Sequence, residues 1–142
     1  MNVLIVEDEQ LAADKLSKLL ADIDPSIQIL SHIDTVEEAA VFMSSHAANL
    51  DLVFLDIEMP EMSGLDFLNT LDSPPMIIIV SGQEKYALEA FEHDVVDYLL
   101  KPIALPRFYK SVNKAQKRFQ DKESITKQPE EIFIKKKNST LV

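Results

Sequence analysis

The residues that could do chemistry sit where short apolar runs end. Leu52 to Gly64 reads LVFLDIEMPEMSG, so four apolar residues run straight into the carboxylate of Asp56. Val3 to Val6 runs in the same way into Glu7-Asp8, Met76 to Val80 into Ser81-Gly82, and the run from Asp97 closes at Lys101-Pro102. Carboxylates gathered in one crevice repel one another, which raises their pKa values unless a cation balances them. An oxygen-only donor set without histidine or cysteine suits Mg²⁺, which keeps several waters and takes one or two carboxylates plus a phosphate oxygen. Ser81-Gly82 adds a hydroxyl and a bare backbone, and Lys101-Pro102 an ammonium on a backbone that proline fixes through a cis or otherwise restricted bond. The plainer reading is that such acids are solvated loop residues and that Ser81 forms a turn. The joint placement of all of them at run ends argues for a site.

Elements must exist to bring these residues together. Apolar runs alternate with helically periodic segments, with no internal repeat or low-complexity tract, and this alternation is the sequence form of an α/β domain. Strands are expected at Val3–Val6, Ile27–Ile33, Leu52–Asp56, Met76–Val80 and Asp97–Lys101, the fourth being apolar throughout and therefore central. Helices are expected over about Gln10–Asp22, with Leu16, Leu19 and Leu20 on one face, and from Thr35 to near His46. Thr35 and Glu38 have capping-box spacing, and the second helix buries Ala39, Val41, Phe42 or Met43. The remaining helices span about Leu65–Leu71, Lys85–His93 (a weaker one) and Pro106–Lys122. Pro60 forbids easy helix continuation after Asp56, and Gly64 permits a backbone turn. Right-handed crossovers favour a doubly wound, five-stranded parallel sheet of order 2-1-3-4-5, in which Glu7, Asp8 and Asp56 converge beyond the strand ends.

Composition sets the outer bounds. At 142 residues and 46% hydrophobic the chain fits one core, of a size that buries roughly 68–70% of its unfolded surface. It has no cysteine, which excludes disulfides and thiolate metal sites and suits a reducing cytoplasm. No apolar run approaches the ~18 residues of a membrane span, and Met1 leads into a strand without a basic signal-peptide start, so a soluble, unexported protein with no membrane partner is expected. The net charge of −10 is uneven: residues 1–100 hold 20 acids and 3 bases (net −17), and residues 101–142 hold 4 acids and 11 bases (net +7). Such an acidic body is unsuited to DNA, whose non-specific binding rests on neutralising phosphates.

Taken together, Glu7-Asp8, the D-x-x-M-P-x-x-x-G pattern from Asp56 to Gly64, Ser81-Gly82 and Lys101-Pro102 resemble the receiver domain of bacterial two-component response regulators over about residues 2–122. The resemblance implies a flavodoxin-like fold, Asp56 as phosphoacceptor, and Mg²⁺ held by Asp8, Asp56 and the backbone carbonyl of Glu58, with Glu7 assisting through water. Glu7 stands where the family more often has Asp, and Ser81 where Thr is also common. It further implies a sensor histidine kinase as partner, pairing of Lys101 with the phosphoryl product, a switch in which Ser81 moves toward that group and Tyr98 follows inward, and a possible phosphorylation-dependent homodimer. Such a domain is no enzyme beyond its own phosphorylation and dephosphorylation.

Three other classes compete. An aspartyl-nucleophile phosphatase would place a second acid two residues on, where Glu58 stands, but would need a cap domain. A flavin-binding module would need a hydroxyl- and glycine-rich phosphate loop where Glu7-Asp8-Glu9 would repel phosphate. A receiver-like interaction module that works without phosphorylation would be expected to lack part of the site. Beyond the body, residues 123–131 read as a polar linker, and 132–142, IFIKKKNSTLV, as two strand-like runs about a turn. This last stretch resembles the opening strands of the LytTR-type DNA-binding domain, so the chain is expected to stop just inside an output domain through which its parent binds DNA and regulates transcription.

Overall fold

Aliphatic and β-branched residues suit a pleated surface, and a parallel sheet covered on both faces needs them at successive positions. A computed structural model, which describes residues 1–125, places them so. The elements are β1 (Asn2–Val6), α1 (Gln10–Ile23), β2 (Gln28–Ile33), α2 (Val36–Ser45), β3 (Leu52–Asp56), α3 (Gly64–Asn69), β4 (Met76–Ser81), a 3₁₀ turn (Glu84–Tyr86), α4 (Ala87–Phe91), β5 (Asp97–Leu100) and α5 (Leu105–Ile125). Every strand pairing is parallel, and the sheet order is β2-β1-β3-β4-β5, the expected one.

Side chains alternate across a strand, so each apolar run divides between two cores. Val3, Ile5, Leu52, Phe54, Ile78, Val80 and Leu99 meet α1, through Ala13, Leu16 and Leu20, and α5, through Phe108, Val112 and Ala115. Leu4, Val6, Val53, Leu55, Ile77, Ile79 and Tyr98 meet the opposite layer of α2, α3 and α4. Burying a large aliphatic or Phe side chain is worth roughly 1.5–3 kcal/mol, and this two-sided burial is what fixes the strand register. β3 is the middle strand, and β4 is internal between β3 and β5.

The helices begin and end for local reasons. Thr35 Oγ1 accepts from the Glu38 amide at 3.2 Å, as its capping-box spacing predicts, and Ser63 Oγ accepts from the Asp66 amide at 3.1 Å to start α3. Of the four residues expected to bury from α2, Ala39 and Met43 are buried and Phe42 packs against the core, whereas Val41 is 68% exposed on the outer face. The segment from Glu84 splits into the 3₁₀ turn and a five-residue α4 that buries only Ala90, leaving Leu88 and Phe91 exposed. α5 runs to Ile125, past the expected end near Lys122, so the first three residues of the expected linker are helical. The rest of that linker and the LytTR-like stretch 132–142 lie outside the described residues.

Candidate functional site

Strand register alone assembles the site. Val6 pairs with Leu55, so Glu7 and Asp56 leave adjacent strands side by side; Asp56 pairs with Val80, and Ser81 with Leu100, which sets Ser81 and Lys101 one step further along. The Lys101 amide donates to the Ser81 carbonyl at 2.8 Å, and the Lys101-Pro102 bond is cis. All of these residues lie at the carboxyl edge of the sheet, where open α/β sheets bind ligands.

Lys101 Nζ lies 2.7 Å from Glu7 Oε1 and 3.2 Å from Asp56 Oδ2. Glu7 and Asp56 are buried, and Asp8 beside them is exposed. Burial pushes the Glu7 carboxyl up from its ordinary 4.5 to about 7, and Asp56 adds to the rise while Lys101 opposes it. Burial alone would lower the Lys101 pKa, but Glu7 and Asp56 outweigh it and the ammonium is held above its ordinary value. One carboxylate oxygen each from Glu7, Asp8 and Asp56 lies within 4.8 Å of the others. This all-oxygen set with an exposed member fits a hard, partly hydrated divalent cation such as Mg²⁺.

The opposite rim of Asp56 is built from hydrogen-bond donors. The Glu58 amide donates to Asp56 Oδ1 at 2.8 Å, while the Glu58 side chain turns away and its Oε1 accepts from Ser81 Oγ and the Gly82 amide, both at 3.0 Å. The Gln83 amide donates to Ser81 Oγ at 3.0 Å, and the Gln83 carbonyl accepts the hydroxyl of Tyr98, which is buried with its pKa raised chiefly by that burial. A continuous path of hydrogen bonds therefore joins the Asp56 loop, Ser81 and Tyr98.

The family of the response regulator receiver domain matches residues 3–113. The chain belongs to that family. The receiver domain is 36% identical to sensory transduction protein LytT of Bacillus anthracis over 123 residues, 84% of this chain and 49% of that protein. It is 37% identical to sensory transduction protein LytR of Staphylococcus haemolyticus over 119 residues, 82% of this chain and 45% of that protein. With the response regulatory domain of protein mrkE from Klebsiella pneumoniae it shares 29% identity at a TM-score of 0.76, covering 85% of this chain and 99% of that one. The chain spans about half the length of the curated relatives it matches.

Within this receiver domain the structure brings Glu7, Asp8, Asp56, Glu58, Ser81 and Lys101 to one edge of the sheet, and Tyr98, buried within β5, is linked to them through the Gln83 carbonyl. Sequence reasoning missed two groups. The sequence points to Glu58 for its backbone carbonyl and for its offset from Asp56, not for its side chain as the partner of Ser81 and Gly82. His32, whose Nε2 lies 2.8 Å from the Glu7 carbonyl, braces the acidic pair from β2, and nothing in a lone histidine on an edge strand announces that contact.

Proposed function

We propose that Asp56 accepts a phosphoryl group from the phosphohistidine of a sensor histidine kinase in an Mg²⁺-dependent reaction. The acyl phosphate then controls a C-terminal DNA-binding output and hence transcription. The observation that carries this reading is the placement of the Asp56 carboxylate between two acids that can share a cation and an ammonium 3.2 Å away. An Asp56 oxygen attacks phosphorus in line with the scissile P–N bond, that bond breaks, and the imidazole leaves with its electron pair. Bound Mg²⁺ would supply neutralisation of the phosphoryl oxygens. Lys101 pairs with the same oxygens, and Ser81 Oγ and the Gly82 amide offer them hydrogen bonds. Such transfer needs positioning and charge compensation more than covalent help from the protein.

Two neighbours support the reading. A solved relative, 26% identical at a TM-score of 0.70 over 79% of this chain and 86% of its own, is the CheX-CheY-BeF3-Mg+2 complex from Borrelia burgdorferi. The transcriptional regulatory protein BtsR of Salmonella typhimurium is 36% identical over 132 residues, 92% of this chain and 54% of that protein. On this reading the domain turns over no substrate besides its own phosphoryl group and works in the cytoplasm; among the described residues no helix is long and apolar enough to cross a membrane. Intact-mass spectrometry after incubation with acetyl phosphate and Mg²⁺ tests it. One added phosphoryl group, absent from Asp56→Asn, is expected. Undiminished labelling of the Asn variant would overturn the assignment, and no labelling of either would favour a phosphorylation-independent interaction module.

A further inference from the structure

We propose that the Glu58 carboxylate is the resident occupant of the oxyanion seat formed by Ser81 Oγ and the Gly82 amide, which an incoming phosphoryl group must displace. The proposal rests on the reading of Asp56 as phosphoacceptor and concerns what holds the site before phosphorylation. A hydroxyl and a backbone amide aimed at one point make a seat for an anionic oxygen, and here that oxygen is Glu58 Oε1, 3.0 Å from each donor. The seat is fixed from behind, because Ser81 is fully buried and its Oγ also accepts the Gln83 amide at 3.0 Å. The carboxylate sits close against the Gly82 backbone: a Cβ there would lie 3.4 Å from Glu58 Oε1, in ordinary contact with it. Glu58 is tethered close by, its own amide donating to Asp56 Oδ1 at 2.8 Å. A negative oxygen two residues from the acceptor thus sits on the donors that would receive a phosphoryl oxygen. Its hydrogen bond to Ser81 is continued through Gln83 to Tyr98.

Two consequences separate this role from that of a solvated surface acid. The donors are engaged in the unphosphorylated chain, and a phosphoryl mimic must compete with Glu58 for them. The chain has 2 glycines, Gly64 and Gly82, so protein labelled with ¹⁵N-glycine gives two amide signals. The Gly64 amide bonds to the Ile57 carbonyl at 3.1 Å and reports whether the loop keeps its fold. In Glu58→Ala the Gly82 signal should move upfield as its amide loses the carboxylate, with Gly64 little changed, while Glu58→Gln, which keeps an acceptor, should fall between. Titration with beryllofluoride at saturating Mg²⁺ should then show tighter binding to Glu58→Ala than to the parent by roughly threefold to tenfold, the fold-change that one or two partly exposed hydrogen bonds are worth. A Gly82 signal identical in parent and Glu58→Ala would overturn the proposal, as would equal or weaker beryllofluoride binding by the variant. Failure of both proteins to bind beryllofluoride would instead count against Asp56 as acceptor, and the Gly82 comparison in the unligated chain would still decide where Glu58 sits.

Discussion

Gly64 lies eight positions from the acceptor, where the sequence pattern permits a backbone turn. Its φ is not positive. The physical reason is space: a Cβ there would lie 2.8 Å from the Asp56 carbonyl oxygen, 2.8 Å from Ile57 Cα and 2.9 Å from Ile57 Cγ2. Two of those atoms are backbone of the acceptor loop and cannot swing aside. Gly64→Ala should therefore destabilise the fold by about 1–3 kcal/mol, the usual cost of overpacking, and slow labelling of Asp56, as urea melts and intact mass would register. Gly82→Ala is the control: its Cβ meets only the end of the flexible Glu58 side chain, so its stability should stay within about 0.5 kcal/mol of the parent. The acids at strand ends were legible because strand periodicity fixes where side chains emerge. The orientation of Glu58 was not, because it depends on a hydroxyl and an amide that reach it from another strand. The same acids make a second expectation: millimolar Mg²⁺ should raise the melting temperature by binding the native state alone, and Asp8→Ala, which removes the exposed member of the cluster, should abolish the rise.

Between elements, the start of β5 is tied to α5 by a buried carboxylate. Asp97 is fully buried and accepts two bonds of 2.6 Å from Arg107, one from the Ser111 hydroxyl and one of 2.9 Å from the Tyr98 amide. Burial pushes its carboxyl up, but Ser111, Arg107 and the Tyr98 amide together outweigh burial and hold it below the ordinary 3.8. A depressed native pKa stabilises the fold at pH values above the unfolded pKa, and that contribution disappears as pH falls through the native one. Stability should thus drop below about pH 4. Asp97→Asn should be less stable at pH 7 yet lose less on acidification. Arg107→Ala should cost about 1–3 kcal/mol at pH 7, less than for a wholly buried pair because the Arg107 side chain is 43% exposed. Denaturant midpoints measured across pH check both. The sequence reveals Asp97 only as a polar residue opening an apolar run; its partners lie 10 and 14 residues on, on a helix face that no local pattern links to it. α4 is shorter than the expected Lys85–His93 for a related reason: Ala90 is buried and Ala87 packs against the core, while Leu88 and Phe91 stay exposed.

For the whole molecule, the sheet order and both cores follow from five apolar runs separated by helical segments, because a doubly covered parallel sheet leaves few ways to wind them. What the chain does with its signal depends on a surface property that sequence also carries. Residues 1–100 bear a net −17, and the positive residues gather after them, at a net +7 over 101–142. Within the described residues these bases include Lys110, Lys114, Lys117 and Arg118 along α5. Phosphate neutralisation needs several cations on one surface free of opposing field, and a helix backed by an acidic domain offers that poorly. Titrated against DNA at about 0.15 M salt, the 142-residue chain should give no sequence-specific complex. Any weak binding should fall with added salt at a slope near −0.9 per phosphate contact, the signature of non-specific charge. A longer chain carrying an output domain like that proposed here should bind specific sites under the same conditions. Tight, sequence-selective binding by the 142 residues alone would mean that the receiver contacts DNA itself, and the proposed division of labour between receiver and output would fail.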